Sequence, residues 1–232
     1  RHPWVFDGAI SHMVGDPQPG DLVDVLDRAG EFLARGYYNP HSQIAIRLLT
    51  WDPYEQIDEA FWRRRLHAAL ARRQHLVADD GMTAYRLVYA ESDDLPGLIV
   101  DRYADWLVLQ SLTLGIERWK SVLVQILDKL LDPQGIYERS DVDVRAQEGL
   151  EPVTGVLRGK PPPERVSIIE NGLDFQVDLY HGHKTGFYLD QRKNRLEVAR
   201  YCRERDVLNV FCYSGGFGVY AAAAGAHRVV HL

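Results

Sequence analysis

Cysteine and methionine are scarce in this 232-residue chain, with two of each. Cys202 and Cys212 alone cannot make a disulfide framework or a thiolate metal set, so a reducing compartment is expected. Long hydrophobic runs are missing too. The longest apolar stretches, such as Val219 to Ala226, fall far short of the roughly 20 residues that a bilayer crossing needs. No basic, apolar-cored leader opens the chain, which makes the cytoplasm the expected setting. Two nucleotide signatures are absent. No Gly-Lys-Ser/Thr follows a glycine loop, which excludes a P-loop, and Gly215, Gly216 and Gly218 do not fit the G-x-G-x-x-G spacing of a nicotinamide enzyme.

Excess positive charge is also lacking. The chain carries 27 Lys plus Arg against 33 Asp plus Glu, a net charge of -6, so a uniformly nucleic-acid-coated surface is not expected. Contact with a polyanion has to be local. The candidate patches are Arg63, Arg64, Arg65, Arg72 and Arg73, which also read as a solvated helix face, and Lys184, Arg192, Lys193 and Arg195.

What is present divides into three textures. Residues 1–52 alternate in DLVDVLD and QIAIRLL between Gly, Pro and Asn breaks, the pattern of a small barrel or curled sheet. From Tyr54 to about Val77, Trp62, Leu66, Ala69 and Leu70 recur at helical spacing. Strand-like YRLVYAES, GLIVDRYADWLVLQSLTLG and GIYERSDV then surround a second helix with Trp119, Val122, Leu123, Ile126, Leu130 and Leu131 on one stripe, which makes a central α+β unit over 53–165. The proline run in GKPPPER is a stiff linker, and a boundary is expected near residue 165.

Residues 166–232 change character again. Asn171-Gly172 between two strand-like runs predicts a hairpin. A helix is expected from about Asp190 as N-cap, with Leu196, Ala199 and Cys202 facing inward. VLNVF, CYSGGFG, VYAAAA and HRVVHL then read as strand, glycine turn, helix and parallel strand, one βαβ unit. Such a turn brings backbone N–H groups to a ligand at a helix N-terminus.

NVFCYSGGFGVYAAAAGAHRVV resembles motif I of class I S-adenosylmethionine-dependent methyltransferases. Its form is that of the PUA-domain-containing 23S rRNA (cytosine-5) methyltransferase family. GHKTGFYLDQRKNR resembles the segment that precedes this motif in the family, RHPWVFDGAI the entry to its PUA domain, and ESDDLPGLIVDRYADWLVLQ and IYERSDVDVR its central domain. The matches run in the family's order. The implied fold is a multidomain α/β and α+β chain. A PUA-like RNA-binding β-barrel would occupy 1–52, a linker helix and central α+β domain 53–165, and the start of a Rossmann-like methyltransferase domain 166–232.

The implied cofactor is S-adenosyl-L-methionine. Phe211, Cys212, Tyr213, Ser214, Gly215, Gly216 and Phe217 would line its methionine and ribose side, while Lys184, Thr185, Gly186, Phe187, Gln191 and Arg192 would close over it. Lys193 and Arg195 read as helix-surface charges. Ser214 stands where the family more often has Thr, which keeps the hydroxyl. The implied partner is 23S ribosomal RNA, with no membrane, and bare strand edges are compatible with a homodimer.

Cytosine C5 methylation needs a thiolate that adds to C6. Cys212 sits where the family has a non-catalytic residue and Cys202 reads as helix packing, so no catalytic residue is assigned. His181 and His183 lack a third ligand, and no metal is expected. The resemblance puts the ribose-binding acid, the Asp-Pro-Pro-like loop and the catalytic cysteines beyond Leu232. These 232 residues are therefore expected not to methylate RNA and to bind the cofactor weakly or not at all. The alternatives are a non-catalytic RNA-binding or ribosome-assembly module, and guanine rather than cytosine as the base.

Overall fold

The structure, a computed structural model, describes residues 2–78 and 81–232. The N-terminal sheet contains β1 (Trp4–Val5), β2 (Leu22–Leu26), β3 (Phe32–Tyr38) and β4 (Ile46–Thr50), antiparallel in the order β1-β4-β3-β2. Among the described residues the two edge strands, β1 and β2, do not pair with each other, so the curled-sheet form is seen and not a closed barrel. Register shifts at Val25/Leu26 and Arg35/Gly36 supply the bend. Gly36 is required there because a Cβ would fall 2.2 Å from the Arg47 carbonyl oxygen.

Helix α1 (Glu59–Ala78) begins five residues later than the sequence pattern suggests. The Asp58 side chain accepts the Phe61 N–H at 2.8 Å, an N-cap that fixes the start. Trp62, Leu66 and Ala69 are buried as expected, and Leu70 packs at the edge. The five arginines of this region are not a free basic patch. Arg63 pairs with Glu59, Arg64 with Glu55, Arg65 with Glu55 and Asp94, and Arg72 and Arg73 with Asp93.

The central sheet runs β5 (Ala84–Tyr89), β6 (Leu98–Tyr103), β7 (Trp106–Ser111), β8 (Gly135–Ser140) and β9 (Val153–Gly159) in that spatial order. Only the β7–β8 pair is parallel, and helix α2 (Leu114–Leu131) makes the crossover between them. The six-residue strand β7 is wholly buried because both sheet faces are covered. Leu107 and Leu109 face α1 and α2, in a core that also takes Tyr37 and Leu49 from the N-terminal sheet. Trp106 and Val108 face the other way, into a second core shared with the C-terminal segment.

That segment starts with the hairpin β10 (Val166–Glu170) and β11 (Leu173–Val177). Its turn residues Asn171 and Gly172 both have positive φ, 50° and 76°, the geometry that makes Asn-Gly a hairpin signal. Helix α3 (Arg192–Ala199) follows a 3-10 turn at Leu189–Gln191, so Gln191 and not Asp190 precedes it. The expected inward face needs correcting as well. Leu196 is half exposed, whereas Arg195, Ala199 and Cys202 are buried. Strand β12 (Asp206–Asn209), helix α4 (Gly216–Ala223) and strand β13 (Arg228–His231) form the anticipated parallel βαβ unit. No helix among the described residues is long and apolar enough to cross a membrane.

Candidate cofactor site

The turn between β12 and α4 carries three left-handed residues: Phe211 (φ 55°), Tyr213 (φ 48°) and Gly215 (φ 73°). Only glycine takes this conformation without strain, so the two aromatic residues mark a turn held open by its surroundings. The Cys212 N–H donates to the Leu232 carbonyl at 3.0 Å and the Gly215 N–H to the Cys212 carbonyl at 2.7 Å, which closes the loop. Helix α4 starts at Gly216, and the first-turn N–H groups that follow have no partner within the helix. Ser214 and Phe211 are exposed, Cys212 and Phe217 are half-buried, and Gly216 is buried. A Cβ on Gly218 would stand 2.2 Å from the exposed His231 ring, so glycine here lets that ring lie against the start of α4.

The segment 182–188, distant in sequence, is fastened to this turn. Tyr213 Oη accepts the His183 N–H at 2.5 Å, and the Tyr213 ring stacks on the His183 imidazole with centroids 4.2 Å apart and planes 14° apart. Tyr188 stands edge-on to both rings, and its hydroxyl lies 3.0 Å from His183 Nδ1. Lys184 lies over the Tyr188 ring at 4.8 Å and pairs with Asp190 at 2.9 Å. Partial burial pushes the Asp190 carboxyl up, and the Lys184 ammonium more than reverses this, leaving its pKa below the ordinary value.

The central sheet holds the other side of the segment. Alternation along β6 and β8 turns Leu98, Val100 and Ile136 toward the helices and Asp101, Tyr103 and Arg139 toward the C-terminal unit. Thr185 donates to Asp101 at 2.6 Å and lies 2.8 Å from the Tyr103 hydroxyl, which in turn accepts the Phe187 N–H at 3.2 Å. Arg139 donates to the carbonyls of Leu179 at 2.8 Å and Gly182 at 3.3 Å. Of the expected lining residues, Thr185 and Phe187 are thus buried and structural in their contacts, and Gly186 packs against Leu179 and Val177. Gln191 accepts the Asn194 side-chain amide at 2.9 Å, and Arg192 donates to Asn171 at 3.1 Å.

The reading of Arg195 as a surface charge is overturned. It is 2% exposed and makes a bidentate pair with Glu170, itself 1% exposed, at 2.8 and 2.9 Å. Tyr220 of α4 donates to the same carboxylate at 3.0 Å. Burial and the Glu170 charge hold the Tyr220 phenol above its usual range, so it stays a donor. Sequence reasoning missed Asp101, Tyr103, Arg139, Glu170, Tyr188 and Tyr220. The available signal was a charged residue inside an apolar strand, as in LIVDRY and VSIIE. Cys202 is buried with its thiol toward the Val198 carbonyl at 3.3 Å, and no group of His, Cys, Asp and Glu among the described residues could hold a metal.

Two family models match this chain in sequence. Residues 1–51 match the PUA-like domain. Residues 146–232 match the S-adenosylmethionine-dependent methyltransferase family. The second match spans the latched segment, the Arg195–Glu170 pair and the glycine turn. Proteins named ribosomal RNA large subunit methyltransferase I are similar over the whole chain. The one from Shewanella denitrificans is 52% identical over 233 residues and the one from Photobacterium profundum 51%, each covering 100% of this chain. The chain spans 59% of the length of these relatives.

Solved structures show the same fold. A structure described as a SAM-dependent methyltransferase from Streptococcus mutans superposes with a TM-score of 0.82 at 23% identity, covering 99% of this chain and 58% of its own. A methyltransferase complexed with SAH gives 0.80 at 24% identity, covering 92% and 54%. The chain therefore combines N-terminal PUA-like strands with a methyltransferase fold in a mixed α/β architecture, which agrees in outline with the fold class read from the sequence, whereas the expected closed barrel is not seen.

Proposed function

We propose that the whole protein is an S-adenosylmethionine-dependent methyltransferase that modifies large-subunit ribosomal RNA, forming 5-methylcytosine. The observation that carries this reading is the Tyr213–His183 latch, which brings the separately inferred segments 184–192 and 211–217 side by side. The residues fit the cofactor's chemistry. First-turn amides of α4 and the Arg192 guanidinium suit its carboxylate, and the Tyr213, His183 and Tyr188 rings offer π faces to its sulfonium. When bound, the cofactor supplies the methyl group.

The protein's part is to fix that group and to present the base. Arg192 and the turn would orient the methionine end, and the segment fastened by Asp101, Tyr103 and Arg139 would keep water from its other side. Neither Cys202 nor Cys212 is assigned as the nucleophile. The working units remain 1–52 for RNA binding, 53–165 as the central domain and 166–232 as the cofactor-binding part. The relatives' name supports ribosomal RNA as the partner, in a cytoplasmic setting, and a homodimer is part of the same reading.

The test is mass spectrometry of 23S rRNA nucleosides from cells lacking the gene. Loss of one 5-methylcytosine, restored by the whole protein in vitro with S-adenosylmethionine, is the expected result. Loss of a methylguanine instead would overturn the choice of base, and an unchanged methylation pattern would overturn the function.

A further inference from the structure

We infer that Arg195 is the positioning residue of the cofactor site, with Glu170 as the carboxylate that orients it. This rests on the cofactor reading above and adds a role that the sequence pattern did not suggest. One buried guanidinium meets every segment assigned to the cofactor. It sits over the Phe187 ring at 4.6 Å and donates to the Tyr188 carbonyl at 3.0 Å, which ties it to the latched segment. It rises from α3, one turn after Arg192. It also lies under the glycine turn, where a Cβ on Gly216 would stand 3.2 Å from Arg195 Cδ.

Glu170 holds the fork in place. Both of its oxygens take guanidinium donors, and Tyr220 adds a third bond from α4. The neighbouring Asn171 donates to the Tyr220 hydroxyl at 2.8 Å and accepts from Arg192, so Arg192 and Arg195 are oriented from the same hairpin end. Moving Arg195 therefore shifts α3, the start of α4 and the 187–188 backbone together. Lysine keeps the charge but cannot reproduce a bidentate fork. The pair is consequently sensitive to a substitution that leaves most of the core intact.

The experiment measures S-adenosylhomocysteine binding by calorimetry and amide exchange at residues 212–219 in the whole protein, for wild type, Arg195→Lys and Arg47→Lys. Arg47, on β4 of the N-terminal sheet, is the control because its buried pair with Glu148 lies apart from the glycine turn. Arg195→Lys is expected to lower affinity about tenfold or more, well below its melting temperature, and to speed exchange at 212–219. Arg47→Lys is expected to lower stability and leave both readouts unchanged. Unchanged affinity and exchange in Arg195→Lys, or equal losses in both variants, would overturn the positioning role. A wild type that does not bind the ligand would overturn the cofactor reading, and the exchange rates alone would then decide whether Arg195 sets the turn.

Discussion

At the scale of single residues, close backbone approach decides where the 182–188 segment, proposed to close over the cofactor, can lie. A Cβ on Gly182 would come within 2.3 Å of the Asp178 carbonyl oxygen and 2.5 Å of that of Gly186. These are backbone atoms, so the loop must shift. Gly182→Ala is expected to cost about tenfold or more in S-adenosylhomocysteine affinity, which titration calorimetry would register. Asp93 gives a second test, through pH. Burial pushes its carboxyl up, but Arg73, the Tyr89 amide and Arg72 more than offset this, and its folded pKa lies below the ordinary value. A depressed folded pKa stabilises above the unfolded value of about 3.9 and loses that contribution as pH falls through the folded one. Asp93→Asn is therefore expected to cost about 3–5 kcal/mol at pH 7 and progressively less below about pH 4, by urea denaturation at several pH values.

At the scale of elements, strand alternation is what joins the central sheet to the site. Tyr103 and Arg139 each project from a buried strand onto the backbone of 179–187. Tyr103→Phe removes the acceptor for the Phe187 amide and the partner of Thr185. A loss of about 1–3 kcal/mol is expected, with faster amide exchange confined mainly to 182–188. This layer of the design was only half legible in the sequence. The hairpin at Asn171-Gly172, the stripes of both long helices and the closing βαβ unit were all visible, because each depends on local turn chemistry or periodicity. Arg195, Glu170 and Asp101 were not, because their burial depends on partners roughly 25 to 84 positions away, and composition alone assigns such charges to the surface. The start of α1 was missed for a simpler reason: apolar periodicity does not register a cap such as Asp58.

At the scale of the whole molecule, the N-terminal sheet does not hang free. Tyr37 donates to the Pro96 carbonyl or Thr113 hydroxyl at 2.8 Å and packs in the core of α1 and α2. Arg47 and Asn39 meet Glu148 in the turn just after β8, where the methyltransferase family match begins. Breaking this buried pair with Arg47→Ala is expected to cost about 3–5 kcal/mol and to lower the unfolding midpoint of the N-terminal and central units together, as followed by Trp62 and Trp4 fluorescence. Separate transitions would show that the two units are independent.

The central claim is that segments far apart in sequence meet to hold S-adenosylmethionine. Photolabelling of the whole protein with methyl-tritiated S-adenosylmethionine, followed by peptide mapping, tests it most directly. The expected result is label on the peptides bearing 183–192 and 211–217, displaced by S-adenosylhomocysteine and reduced in Gly182→Ala. Competable label confined to other peptides, or no competable label, would contradict it.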